Sequence, residues 1–181
     1  LSENDSPDIG FRYSINPYRG CEHGCAYCYA RPGHEYLGFN AGLDFETKVM
    51  VKHEAPALLR KALARPSWRG ESIAISGVTD CYQPAERRFR LTREVLEALM
   101  GWRGLHLGII TKSPLILRDR ELLTRLAERH DLTVNISLAS ADAALLRRIE
   151  ARSPAPHARL RALERLTQAG LHAGLLIAPI L

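Results

Sequence analysis

Short apolar runs alternate along this chain with longer stretches in which apolar residues recur every three or four positions. Ser72 to Ser76 (SIAIS), Leu105 to Ile110 (LHLGII), Leu132 to Leu138 (LTVNISL) and Leu171 to Ile177 (LHAGLLI) are too short for helices. Apolar and flanked mostly by turn residues, they read as strands buried on both faces. Arg12 to Asn16 (RYSIN) reads as one more extended segment. Between the strands the period becomes helical. Ala85 to Met100 follows Pro84 and turns Phe89, Val95, Leu96 and Leu99 to one side. Glu54 to Ala64 carries Pro56 in its first turn, and a further helix covers Asp119 to Arg129. Ser140 and Asp142 offer an N-terminal cap to Ala143 to Ala151, and Pro156 opens a last helix that Gly170 ends.

Strands separated by helices of about ten residues imply parallel pairing through right-handed crossovers, hence a doubly wound sheet or a barrel. Ligand chemistry then belongs at the carboxyl ends of the strands. The chain starts at Leu1 rather than Met and stops inside the apolar stretch Leu171 to Leu181, the pattern of a piece of a longer protein.

Composition narrows the classes. With 181 residues, 46% hydrophobic and 25% charged, the chain can bury one sizeable core, and disorder, collagen and coiled coil are excluded. No run of 18 apolar residues occurs, and the first ten residues, LSENDSPDIG, are polar and acidic. Neither a membrane span nor a secretory leader is expected, and a cytoplasmic setting is. The formal charge of +5 permits an anionic partner. Arg87, Arg88, Arg90, Arg93, Arg147, Arg148 and Arg152 lie among acidic residues on predicted helices, however, and read as solvated faces.

The chemistry concentrates in GCEHGCAYCYA. Cys21, Cys25 and Cys28 are separated by three and then two residues. Thiols this close do not make a disulfide framework; they suit a metal centre in a reducing compartment. Gly20, Gly24 and Ala26 let the backbone pass close to a compact group. Three thiolates around four irons leave one iron without a protein ligand. Two other readings stay open on spacing alone. A zinc site, in a nucleic-acid-binding module, would recruit His23, His34 or Cys81; an electron carrier would complete its cluster with Cys81. His23, Arg31, His34 and Tyr36 sit near this loop and either line its mouth or hold it.

CxxxCxxC with Tyr27 directly before Cys28 resembles the radical S-adenosylmethionine superfamily. The blocks SPDIGFRYSINPYRGCEHGCAYCYARPGHEYLG, GLDFETK and TDCYQPAERRFRLTREVLE resemble its spore photoproduct lyase-related branch. The resemblance implies an α/β fold, a partial (β/α)6 TIM-like barrel, here ending after the fifth strand, so that 1–181 is a core domain incomplete at its C-terminal end. Its missing contacts would come from another chain or from absent parts. It implies a four-iron, four-sulfur (4Fe-4S) cluster on Cys21, Cys25 and Cys28, whose free iron chelates the amino and carboxylate groups of S-adenosylmethionine. A flavodoxin- or ferredoxin-like reductant would load the cluster, which cleaves the sulfonium to methionine and a 5′-deoxyadenosyl radical. The radical would abstract hydrogen from an unidentified substrate, a nucleic acid in a repair-like lyase reaction being one class.

The same resemblance distributes the cofactor contacts over strand ends. Gly77, Thr79 and Asp80 fall where the methionyl amino group is bound, and Lys112 meets the methionyl carboxylate. Ser137 contacts ribose or carboxylate, Ile177 lies in the Leu176 to Ala178 segment along adenine, and Tyr27 places adenine through its backbone. Cys81 departs from the branch, standing where proline is expected. Asp44, Glu46 and Lys48 in GLDFETK carry no chemical role that the residues disclose.

Overall fold

A computed structural model describes residues 1–180. Its main sheet has six strands in the order β1 (Ser2–Glu3), β2 (Tyr13–Ile15), β5 (Ile73–Ile75), β6 (His106–Thr111), β7 (Asp131–Ser137) and β8 (His172–Leu176). β2, β5, β6, β7 and β8 pair in parallel, and β1 adds to the β2 edge antiparallel. Every predicted strand is present to within one residue at each end. A two-stranded ribbon, β3 (Tyr18–Arg19) with β4 (Met50–Val51), stands apart.

Register lines up one row of apolar side chains across the sheet: Ile15 opposite Ile75, Ile75 opposite Ile109, Ile109 opposite Val134 and Val134 opposite Ala173. Helices cover it. α2 (Ala55–Leu63) packs on α4 (Leu91–Leu99), α4 on α5 (Arg120–Ala127), and α7 (Pro156–Gln168) on β7 and β8. Leu59, Val95, Leu96, Leu99, Leu123, Leu126 and Leu166 are wholly buried there, each stabilising the fold by about 1.5–3 kcal/mol relative to exposure. α1 (Leu43–Thr47) and α6 (Ala143–Ile149) are short, and 3₁₀ turns run from Arg31 to Leu37 and from Pro114 to Asp119.

The strands are not buried on both faces as the apolar runs suggest. In β6 and β7, Leu107, Ile109, Thr111, Leu132, Val134 and Ile136 are buried, whereas Gly108, Ile110, Thr133 and Asn135 between them are only partly covered. Helices seal one face. The other looks into the barrel, where Ile110 borders a cavity.

The single helix expected over Ala85 to Met100 is two, α3 (Glu86–Phe89) and α4, broken at Arg90 in a left-handed conformation (φ 52°). The break lets the Glu86 carboxylate accept from the Thr92 and Arg93 amides at 2.8 and 3.3 Å, capping α4 from outside its own first turn. Glu86 is therefore buried and Phe89 only half-buried, the reverse of the apolar pattern. Asp142 caps α6 as expected, accepting from Ala144 and Leu145, and Gly170 (φ 78°) follows the end of α7.

Candidate cofactor site

The carboxyl ends of β5, β6, β7 and β8 and the cysteine loop after β3 open on one cavity of about 460 Å³. Cys21, Cys25 and Cys28 line one side; Gly77, Thr79, Asp80, Lys112 and Ser137 line the strand-end side, and Tyr27 lies between them. Eight of the ten residues singled out for cluster and cofactor contact are the ones just named, with Tyr27 the ninth. Ile177 is not brought in: it is 57% exposed, and its neighbours Leu176 and Ala178 line the cavity instead.

The loop is held by backbone from several directions. The Cys21 amide donates to the Phe45 carbonyl at 2.9 Å, and the Ala26 amide to the Ile149 carbonyl at 2.7 Å. Gln83, wholly buried, straddles Cys21: its Nε2 donates to the Gly20 carbonyl and its Oε1 accepts from the Glu22 amide, both at 3.0 Å. Arg31 donates to the Cys25 carbonyl (3.0 Å) and Arg152 to the Glu22 carbonyl (2.8 Å), and Glu46 pairs with both guanidiniums. GLDFETK thereby gains a role as the belt of the cysteine loop. Gly20 is the tight point; at φ 89° a Cβ there would sit 2.9 Å from the Phe45 carbonyl oxygen, a backbone atom that cannot step aside.

Across the cavity, Ser76 takes a left-handed conformation (φ 78°), uncommon and strained for a residue with a side chain. Its hydroxyl donates to the Thr79 carbonyl at 2.6 Å and fixes the turn out of β5. Thr79 and Asp80 border the cavity, yet their side chains are engaged elsewhere. The Thr79 hydroxyl donates to the Tyr18 carbonyl (2.9 Å), and the Asp80 carboxylate accepts from the Tyr82 and Lys112 amides and the Thr111 hydroxyl at 2.6–2.8 Å. His23 Nδ1 lies 3.4 Å from Asp80 Oδ2, an ion-pair distance without hydrogen-bond alignment. Burial raises the Asp80 carboxyl, but His23 and these donors outweigh it and hold it at about 2.

Lys112 is no ordinary surface lysine. Its Nζ contacts Ser137 Oγ at 3.0 Å, the Tyr27 hydroxyl at 3.1 Å and Glu150 Oε1 at 3.1 Å. Glu150 also accepts from the Tyr27 hydroxyl and pairs with Arg159. Burial pushes the Glu150 carboxyl up, but hydrogen bonds from Arg159 and Tyr27 and the charge of Lys112 prevail and hold it below the ordinary glutamate range. Neither Glu150 nor Arg159 was singled out from sequence. Arg159 lies on the α7 face that the neighbouring leucines would claim, yet it is 1% exposed while Leu160 is 42% exposed.

The open alternatives for the cysteines divide on placement. Cys81 is wholly buried in the main core and does not border the cavity, His34 packs between Phe39 and Phe45, and His23 borders the cavity beside the cysteines with its Nδ1 toward Asp80. Among the described residues no three His, Cys, Asp or Glu side chains, the three cysteines included, are drawn together closely enough to hold a metal ion. Burial pushes the Cys25 thiol up to about 11 and raises Cys28. These thiols ionise when a metal displaces their protons.

A parallel sheet whose strand ends and thiol loop share one cavity defines an α/β barrel-type protein with its chemistry at the carboxyl edge. The chain belongs to the radical SAM superfamily, whose family model matches residues 15–181, and membership implies a 4Fe-4S cluster and S-adenosylmethionine. An uncharacterized protein of Mycobacterium tuberculosis is 46% identical over 173 residues, covering 96% of this chain and 51% of that protein. An uncharacterized protein of Methanocaldococcus jannaschii is 31% identical over 172 residues, covering 95% and 61%. The chain thus spans about half the length of the first and somewhat more of the second. Spore photoproduct lyase complexed with dinucleoside spore photoproduct superposes with a TM-score of 0.68 at 18% identity, covering 98% of this chain and 48% of the lyase. A cobalamin-dependent S-adenosylmethionine radical enzyme gives 0.52 at 10% identity, covering 90% and 23%. At these identities the likeness is one of fold, and it confirms the partial barrel.

Proposed function

We propose that this chain is the cofactor-binding core of an enzyme that performs hydrogen abstraction with S-adenosylmethionine, Cys21, Cys25 and Cys28 being the thiolate ligands of its 4Fe-4S cluster. One observation carries this reading: three thiols and the polar residues of successive strand ends border the same cavity, while the fourth cysteine is buried away from it. The donor set fits the cluster, since three thiolates serve three irons, and the other metal-ligating side chains on the cavity, His23 and Asp80, face each other at 3.4 Å. When bound, the cluster supplies the electron that cleaves the sulfonium to methionine and a 5′-deoxyadenosyl radical.

The chain's own residues do the rest. Lys112 presents an ammonium to the methionyl carboxylate, and Ser137 adds a hydroxyl beside it. The turn from Gly77 to Asp80 receives the methionyl ammonium through backbone groups, the Asp80 carboxylate being taken up by His23 and by the Tyr82, Lys112 and Thr111 donors. Tyr27 acts through its hydroxyl on Lys112 and Glu150 rather than through its backbone alone. Ile110, Leu176 and Ala178 give the cavity apolar walls that keep water from a reactive intermediate. A flavodoxin- or ferredoxin-like protein is the reductant we assign, and a dinucleoside photoproduct is the first substrate to assay.

The test is anaerobic reconstitution of the full-length protein. About four irons and four sulfides per chain, and 5′-deoxyadenosine released after dithionite reduction, are expected. Protein that binds no iron, or that binds it and cleaves no S-adenosylmethionine, overturns the reading.

A further inference from the structure

At and behind the cavity wall, one carboxylate and two cations are in contact. Glu150 Oε1 lies 3.1 Å from Lys112 Nζ, and its other oxygen pairs with Arg159. Arg159 is fixed besides by bonds to the Pro154 carbonyl (2.8 Å) and the Ser137 carbonyl (3.0 Å), so it cannot swing away. Lysine and glutamate alone would form a neutral pair with little attraction for an incoming anion. A guanidinium stays protonated in a protein interior, so Arg159 offsets Glu150 and leaves the ammonium's charge in surplus. Lys112 is the member of the three that borders the cavity; Glu150 and Arg159 do not.

From this geometry we infer that Arg159 and Glu150 are positioning residues that set the affinity of the Lys112 subsite for a carboxylate: Arg159 raises it by keeping the trio cationic, and Glu150 limits it by competing for the ammonium. The inference rests on the proposed binding of S-adenosylmethionine and deepens it. Glu150 is also joined to the cysteine loop. Its backbone bridges to Cys25, the Ile149 carbonyl accepts from Ala26, and Ser153 Oγ lies 3.7 Å from Cys25 Sγ. The same short segment therefore touches the cluster loop and tunes the carboxylate subsite.

The readout is the ratio of affinities for S-adenosylmethionine and its decarboxylated analogue, measured by equilibrium dialysis on the reconstituted full-length protein. Arg159→Met should lower that preference roughly tenfold, the size expected when one charge near a partly buried subsite is removed. Arg159→Lys, which keeps the charge, should restore most of it. Glu150→Gln should raise the preference, because it frees the ammonium and removes a negative charge. A merely structural role would lower both affinities together and leave the ratio unchanged. If Arg159→Met fails to fold by circular dichroism, Glu150→Gln decides: a higher ratio supports the inference and an equal or lower one overturns it. Wild-type protein that binds neither compound would instead refute the cofactor reading on which the inference stands.

Discussion

Two buried ionic networks in this protein use the same residue types toward different ends. The first joins Glu86 and Asp119 to Arg93 and Arg118, with Glu86 Oε1 2.6 Å from Arg118 and Asp119 2.7 and 2.8 Å from Arg118 and Arg93. Its two buried carboxylates are matched by two guanidiniums, Arg93 reaching also to the exposed Glu97, and none of them borders the cavity. It ties Tyr18, at the entrance to the cysteine loop, to α3, α4 and the 3₁₀ turn before α5. The second network, Lys112, Glu150 and Arg159, has one carboxylate for two cations and meets the cavity. A balanced cluster can be sealed in as a joint; an unbalanced one keeps its remaining charge for something that arrives. The difference between architecture and recognition here is one charge.

Breaking the balanced network should cost the most stability. Glu86→Ala leaves the partly buried Arg118 guanidinium with Asp119 alone, strands the Tyr18 hydroxyl and uncaps α4, so a loss of about 3 kcal/mol in urea unfolding is expected. A loss under about 1 kcal/mol would mean that this cluster is not a joint. Next comes the brace between the two regions. Gln83→Leu strands the Gly20 carbonyl and the Glu22 amide, for about 2 kcal/mol, and should speed the removal of cluster iron by a chelator. Unchanged iron release would confine Gln83 to packing.

Lys112→Gln should change stability by only about 1 kcal/mol, since Glu150 keeps Arg159 and Tyr27, while weakening S-adenosylmethionine binding tenfold or more in calorimetric titration. A large unfolding penalty with unaltered binding would erase the contrast between the networks.

The smallest effect is set by pH. Burial lowers the pKa of His130, and its hydrogen bond to the Leu99 carbonyl only partly opposes this. Folding therefore favours the neutral ring. Its contribution is complete above about 6.5 and is lost as pH falls from there toward the lower folded value. The His130 share is read as the difference between wild type and His130→Gln: the urea midpoint of the wild type should fall relative to that of the variant between pH 7.5 and 5.5. Glu150, a lowered carboxyl, contributes above the ordinary glutamate pKa and loses its share only in more acidic solution, which separates the two on the pH axis.

The sheet was legible because each strand announces itself locally, by a short apolar run between turn residues. The cysteine loop was legible because its three thiols lie within eight residues. The polar residues after β5, β6 and β7 could be picked out because a parallel sheet puts its chemistry at one edge. Local periodicity misled where charge went inward. Phe89 and Leu160 look like core positions and Glu86 and Arg159 like surface ones, but Glu86 and Arg159 are buried, Phe89 only half so, and Leu160 is exposed. Within the segment Leu176 to Ala178, alternation faces Leu176 and Ala178 to the cavity and turns Ile177 between them away.

By itself the amino-acid order determined the succession of elements, the trio of thiols and the family to which they belong, since period, capping and ligand spacing act over a few residues. Only the folded chain decided which charges would be buried and with whom. A carboxylate leaves water when opposite charges and donors meet it, and those come from segments dozens of residues away in sequence: Lys112 for Glu150, Arg118 for Glu86.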